Sequence, residues 1–355
     1  MAASNLFAYD STGTVLAMVD GAEILAHSGA DESPLWMQAC DDRVVAVGAT
    51  KSEIVTLDAQ GRLVWWEARE GKRLATTELG DPAAALAVAR DGTCAVALPE
   101  RVVITRRGEA AHVAELAVAT AHALAWSDDG ARLAVGTEQG SVKVFEATGG
   151  EPVGTADIEE TVRSVAWNAA GFWIATAGER VLRIAADGAG SEPITRAGGK
   201  RPDLVTCSAD GSRFAICLDE ITVVVLAYPS RDTVATLGYL ERQVVGLAFG
   251  PDPWLGVGLD KGDGNKINLE TEAIHRTDTQ PGREHHGWLL SAAFDTGKTA
   301  GKTPGTSAAR DEESAPSPAP AAPTAPTAEA SIKGQTLVWI GLIVIGLAVA
   351  ISRCV

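Results

Sequence analysis

Short runs of alternating apolar and polar positions, broken by small polar turns, fill the first 295 residues of the chain. The clearest stretch lies between His122 and Asp157. There, residues 123–126, 132–136 and 141–145 alternate, and residues 152–156 form a weaker fourth run. A period of two over four to eight residues predicts half-buried strands. The intervening turns are Ser127-Asp128-Asp129-Gly130, Glu138-Gln139-Gly140 and Thr148-Gly149-Gly150. They supply glycine for positive φ and aspartate for side-chain bonds to the backbone.

The first of these turns recurs. It is seen at Ser11-Thr12-Gly13, Arg90-Asp91-Gly92, Asp128-Asp129-Gly130, Ala169-Ala170-Gly171 and Ala209-Asp210-Gly211. The glycines stand 79, 38, 41 and 40 residues apart, and 79 is two steps of about 40. Such a period, with several short strands per unit, marks the blades of a β-propeller. First strands are expected near Leu6, Val44, Ala85, Ala123, Val165, Val205 and Val244, which makes seven blades. A small residue recurs in the second strand (Ala17, Ala95, Ala134, Ala175, Ala215), as closely stacked sheets require. The turn of unit two, residues 49–53, has no glycine, and unit seven has Pro253 in its place. Residues 287–294 read as one more strand, expected to clasp the ring by joining the first blade, or to begin an eighth.

Residues 122–146 resemble a WD40 repeat, with His122, Trp126, Ser127, Asp129, Gly130 and Gly136 in register. The departures are specific. The family's Gly-His is Ala121-His122, its closing Trp-Asp is Phe145-Glu146 here and Trp66-Glu67 in unit two, and its turn Asp is Gln139. The family's hydrogen-bonded His–Ser–Trp–Asp set is therefore incomplete. The resemblance spans about residues 3–295 and implies an all-β, seven-bladed propeller that binds proteins.

Charge narrows the partners. The chain carries −16; residues 297–355 hold five bases and four acids, so residues 1–296 carry −17. Such a body repels phosphate backbones, which argues against nucleic acid and favours basic protein surfaces. The five cysteines are widely spaced and odd in number, which is no disulfide framework. Met1-Ala2-Ala3-Ser4-Asn5-Leu6-Phe7 lacks the basic and apolar regions of a secretory signal, so the body is expected in the cytosol.

Beyond residue 295 the composition changes. Residues 297–335 are rich in Pro, Ala, Thr and Ser and read as a disordered linker. Residues 336–352 carry no charge and include Trp339, Gly341 and Gly346. As a helix they would be about 25 Å long, near the lower limit for crossing a bilayer. Trp339 suits an interfacial belt, and Lys333 and Arg353 suit the two ends. The layout is that of a tail-anchored, single-pass protein with its propeller on the cytoplasmic side.

Candidate chemistry is sparse. An acid recurs in the turn between second and third strands: Asp20, Asp58, Glu100, Glu138, Glu179, Asp219 and Asp260. In regular blades all lie on one face of the disc. Glu100, Glu138, Glu179, Asp219, Asp260 and Asp263 are the candidates for binding a basic protein partner. Asp260, Asp263 and Asn265 also offer oxygen ligands to a Ca²⁺ ion in a glycine-rich hairpin loop, although without EF-hand spacing. His275, His285 and His286 lack nearby cysteines, and Gly297-Lys298-Thr299 and Gly301-Lys302-Thr303 lack the preceding glycine of a phosphate loop. No cofactor is expected. A non-catalytic interaction platform on a membrane is the leading reading. A small-ligand or ion sensor and an enzyme with paired carboxylates at the channel are its alternatives.

Overall fold

The computed structural model describes residues 6–10, 13–29, 34–109, 112–196, 198–239, 242–260, 263–278 and 289–294. They form seven antiparallel sheets. Blade 1 holds β1 (Phe7–Tyr9), β2 (Val15–Asp20), β3 (Glu23–Ser28) and β4 (Pro34–Ala39). Blade 2 holds β5 (Val44–Ala49), β6 (Glu53–Asp58), β7 (Arg62–Glu67) and β8 (Arg73–Glu78). Blade 3 holds β9 (Ala85–Val88), β10 (Cys94–Ala97), β11 (Val102–Thr105) and β12 (Ala114–Leu116). Blade 4 holds β13 (Ala121–Trp126), β14 (Arg132–Thr137), β15 (Ser141–Glu146) and β16 (Gly154–Asp157). Blade 5 holds β17 (Val162–Asn168), β18 (Phe172–Ala177), β19 (Arg180–Ala185) and β20 (Ser191–Arg196). Blade 6 holds β21 (Pro202–Cys207), β22 (Arg213–Leu218), β23 (Thr222–Ala227) and β24 (Thr233–Tyr239). Blade 7 holds β25 (Val244–Phe249), β26 (Trp254–Leu259), β27 (Asp263–Asn268) and β28 (Ile274–Asp278).

First strands of successive blades touch one another, and β1 touches both β5 and β25, so the ring is closed around an axis. The core is a set of layers between blades. One apolar cluster joins blades 4 and 5 through Val144, Ile158, Val165 and Trp173, for example, and another joins blades 6 and 7 through Leu237, Tyr239, Leu247 and Ile267. The recurring second-strand alanines Ala17, Ala95, Ala134, Ala175 and Ala215 are all 0% exposed. A methyl is the largest group that stacked sheets accept at these positions. Beneath the blades, the repeated turn is pinned by its own side chains. Ser208 Oγ donates to Asp210 Oδ1 at 2.6 Å and accepts from Arg213 N at 2.9 Å, and Ser127 and Asp129 repeat this with Arg132.

The final strand departs from expectation. β29 (Leu289–Phe294) pairs antiparallel with β24 and becomes the fifth strand of blade 6, not a clasp on blade 1. Among the described residues, closure uses packing rather than strand exchange. The side chain of Phe7 lies where a Cβ on Gly256 or Gly258 would be, with its ring 2.2 Å from the first and its own Cβ 2.7 Å from the second. Only glycine allows that approach. Leu6 N donates to Val245 O at 3.0 Å, and buried Lys266 Nζ donates to Gly29 O across the same seam.

Cys40, Cys94, Cys207 and Cys217 are free. Cys217 pairs in register with Leu204, and Cys207 with Phe214, so the two thiols do not face each other. Burial pushes the Cys40 thiol up to about 11. Contacts divide the chain into Met1–Thr299 and Ala300–Val355. The linker, the apolar segment 336–352 with Trp339, Gly341, Gly346 and Arg353, both Gly-Lys-Thr triplets, His285 and His286 lie outside the described residues. Among the described residues no helix is long and apolar enough to cross a membrane.

Candidate functional site

The turns between second and third strands and the connections between blades share one face of the disc. All seven expected acids fall at these turns, but their surroundings divide them. On blade 7 the guanidinium of Arg242 bonds Asp260 Oδ1 through Nε at 2.7 Å and lies 2.7 Å from Asp263 Oδ2 through Nη2. The side chains of Arg242 and Asp263 are 9% and 5% exposed. Asp260 Oδ1 also accepts from Gln243 N at 3.1 Å, and Gln243 Nε2 donates to Glu220 Oε2 at 2.8 Å. Glu220 then bonds Arg201 Nη2 at 2.9 Å, and Arg201 Nε donates to Asp203 Oδ1 at 2.9 Å. Asp219 Oδ1 accepts from Arg201 N at 2.8 Å. A continuous polar chain thus runs from blade 6 to blade 7 and holds three of the candidates, Asp219, Asp260 and Asp263. Asp58 is similarly engaged, by Arg62 Nε at 2.8 Å and two backbone amides.

The acids of blades 3, 4 and 5 are open. Glu100, Glu138 and Glu179 are exposed. Among the described residues, only Glu138 of the three has a basic side chain within 4 Å, His122 Nε2 at 3.6 Å. Glu159, in the connection between blades 4 and 5, lies exposed alongside.

The expected loop at 259–266 is different in form. β27 already begins at Asp263, and Asn265 lies within it, buried, with Nδ2 3.5 Å from Tyr239 Oη. The two carboxylates offered to Ca²⁺ share one guanidinium. Among the described residues no three His, Cys, Asp or Glu side chains converge as a metal site. His275 stacks edge-on against Trp254 at 5.3 Å.

Three further residues line up at the axis. Each of β5, β13, β17, β21 and β25 has a register shift after its first residue. A bulge of this kind re-aims the extra side chain. The bulged residues are Val45, His122, Arg163, Asp203 and Val245, so blades 4, 5 and 6 carry polar groups where blades 2 and 7 carry valine. They stand at the channel mouth. His122 and Arg163 help to line a cavity of about 100 Å³ there, together with Ser164 and apolar residues such as Leu124 and Leu204. Arg163 Nη1 is 3.7 Å from Asp203 Oδ1. His122 Nδ1, Arg163 Nε and Asp203 Oδ2 are buried and have no hydrogen-bond partner among the described residues. Burial raises the carboxyl pKa of Asp203, against the pull of Arg201 and Arg163. The paired carboxylates of the enzyme reading are not what this mouth presents: a single buried carboxylate, Asp203, stands beside Arg163.

Comparison with known proteins places the architecture. Residues 93–170 match the family described as the anaphase-promoting complex subunit 4 WD40 domain. They run from the second strand of blade 3 through the first of blade 5 and include His122 and Arg163. A chain in a crystal structure of the mitotic checkpoint complex superposes with a TM-score of 0.64 at 17% identity, covering 72% of this chain and 83% of that one. The fold is a WD40-type β-propeller. The β-propeller domain of Cps50 (Swd1) from Myceliophteria thermophila superposes at 0.61 with 13% identity, covering 79% of this chain and 97% of its own. The C-terminal WD40 domain of Sif2 superposes at 0.58 with 14% identity, covering 74% and 80%. No curated protein matches the sequence. In blade 2, Trp66 Nε1 donates to Thr56 Oγ1 at 3.0 Å, a buried bond within the sheet.

Proposed function

We propose that this chain is a membrane-tethered protein-interaction platform, and that a basic partner binds the open acids of blades 3 to 5. The observation that carries this reading is the division of the acidic turns. Acids already bonded to arginine offer little attraction, whereas exposed, unpaired acids on a body of −17 steer cationic surfaces toward themselves. Glu100, Glu138 and Glu179 are therefore the contact residues. The buried, unpartnered groups of His122, Arg163 and Asp203 lie inward of that crescent. A polar group reaching the channel mouth from the partner satisfies them, which adds specificity to the charge attraction. The mitotic checkpoint complex neighbour is itself part of a protein assembly, which agrees with this reading.

Tethering rests on the uncharged segment 336–352 behind a Pro-rich linker. It concentrates the propeller at one membrane and raises its effective concentration for partners anchored there. The test is co-purification from gentle detergent extracts with N-terminally tagged full-length protein, against a chain truncated after Asp295. The expected result is a near-stoichiometric partner that is lost on reversing Glu100, Glu138 and Glu179 to lysine. It is accompanied by a full-length protein that stays in the membrane fraction at alkaline pH while the truncated one does not. A partner that binds the triple reversal equally well rejects the crescent, and a soluble full-length protein rejects the tether.

A further inference from the structure

The outer edges of the blades carry a second surface, independent of the acidic face. An outermost strand exposes a row of unpaired main-chain groups, and charged side chains are the usual guard against unwanted pairing there. Five of the seven fourth strands hold a charge: β8, β12, β16, β20 and β28, with Arg73, Glu115, Asp157, Glu192 and Arg276 as examples. The two without one are β24 and β4. The edge of β24 is covered by β29, a six-residue uncharged strand. The edge of β4 is uncovered among the described residues.

β4 is also apolar where it meets water. Leu35 and Met37 are 36% and 56% exposed, and Ala39 continues the same side. The main chain is free on that side too. Cys40 N bonds inward to Ala22 O, so alternation along the regular part of the ladder turns the amides and carbonyls of Met37 and Ala39 outward, up to the register shift at Leu35. The strand is held firmly from behind, where Trp36 stacks on Trp66 at 6.3 Å and donates to Ala68 O at 2.9 Å. In sequence, acids flank it at both ends: Asp31 and Glu32 before, Asp41 and Asp42 after. Asp41 is already bonded to Arg62 and Arg73, so Asp42 carries the charge of the C-terminal flank.

We infer that β4 is a strand-addition site, taking an extended apolar segment of a partner protein flanked by basic residues. Blade 6 shows the kind of occupant, since β29 adds to β24 through main-chain pairing without charge. A second copy of this chain fits poorly: antiparallel pairing of two β4 strands sets acids against acids, on bodies of −17 each. β29 is itself an uncharged outer strand, but only one acid, Asp295, lies within three residues of it in sequence, whereas β4 has acids on both sides.

The probe is a labelled peptide, Lys-Lys-Val-Thr-Val-Thr-Val-Lys-Lys, titrated into the full-length protein in detergent micelles. Saturable binding is expected, with slowed amide exchange at Met37 and Ala39. Met37→Lys should weaken it by about tenfold or more by placing a like charge on the edge, as should N-methylation of alternate valines in the peptide. Met37 is 56% exposed, so this variant keeps the wild-type Tm. Absence of saturable binding overturns the inference, as does equal binding by Met37→Lys or by the N-methylated peptide. A peptide-free dimer that Met37→Lys dissociates overturns it in favour of self-pairing. The Glu100, Glu138 and Glu179 reversal leaves peptide binding intact; loss of binding there moves the peptide to the acidic face and also overturns the inference.

Discussion

The acids of blades 6 and 7 and those of blades 3 to 5 occupy the same turn of the same repeat, yet they do opposite things. Asp260 and Asp263 hold Arg242, and Asp219 holds the backbone of Arg201, so these carboxylates tie neighbouring connections to the blades. Glu100 and Glu179 are exposed and form no ion pair among the described residues, and Glu138 has a lone histidine nearby. The difference is supplied by arginines in the connections, not by the turns. A repeat position can therefore be identical in sequence type and differ in role, depending on what the preceding loop brings to it.

Four experiments break or sharpen that contrast. The largest effect is expected from Arg242→Ala. It leaves Asp263, 4% exposed, without its guanidinium, and removal of one partner from a buried pair costs about 3–5 kcal/mol. Denaturant melts give this directly; a loss under about 1 kcal/mol would mean the blade 7 acids are as dispensable as the open ones.

Next comes the seam that holds the bonded side of the ring to blade 1. Gly256→Val drives side-chain atoms into Phe7 and should cost about 1–3 kcal/mol. Phe7→Ala in the same chain should cost less than the sum of the two single changes, because it vacates the collision.

The triple change of Glu100, Glu138 and Glu179 to lysine has the reverse profile. Each exposed site shifts stability by no more than about 0.5 kcal/mol. Affinity for a basic partner should fall by about thirtyfold, roughly 2 kcal/mol, and the difference should shrink with added salt. Calorimetry at two ionic strengths reads both.

The smallest effect belongs to the turn beneath the blades. The Ser208 hydroxyl, with help from the Ser212 amide, holds the Asp210 carboxyl down at about 2. A depressed carboxyl pKa adds stability above the unfolded value near 4, and this is lost as pH falls through about 2. Asp210→Ala should thus cost about 1 kcal/mol at neutral pH, and the cost should fall away as pH drops from about 4 to below about 2. A cost unchanged across that range would remove the hydroxyl–carboxylate bond as its source.

Much of the fold is legible from local chemistry. The glycine turns, the alternating runs and the second-strand alanines each report a constraint within one blade, and their spacing repeats it seven times. The acidic ring is legible for the same reason. Its division is not, because Arg242 reaches Asp260 and Asp263 across a loop, and nothing in the turn itself announces the arginine. His122, Arg163 and Asp203 left a faint mark: they stand 41 and 40 residues apart, at the phase of the repeat. Seeing it requires comparing the same position of each first strand, where valine at 45 and 245 gives way to polar residues. The docking of β29 on β24 is not legible, because the outer edges of blades 1 and 6 are both uncharged and β29's own sequence does not choose between them.

Six of the seven sheets are built from consecutive chain, and the ring shuts by placing an aromatic ring against glycines. In a clasped ring, the opening sheet stays incomplete until its last strand has been synthesised. Here blades 1 to 5 and blade 7 are complete as soon as their fourth strands have left the ribosome, so blades can form in order during translation. Two late events remain: the meeting of the finished surfaces of blades 1 and 7, and the addition of β29 to the edge of β24, which waits until residues 289–294 have been made.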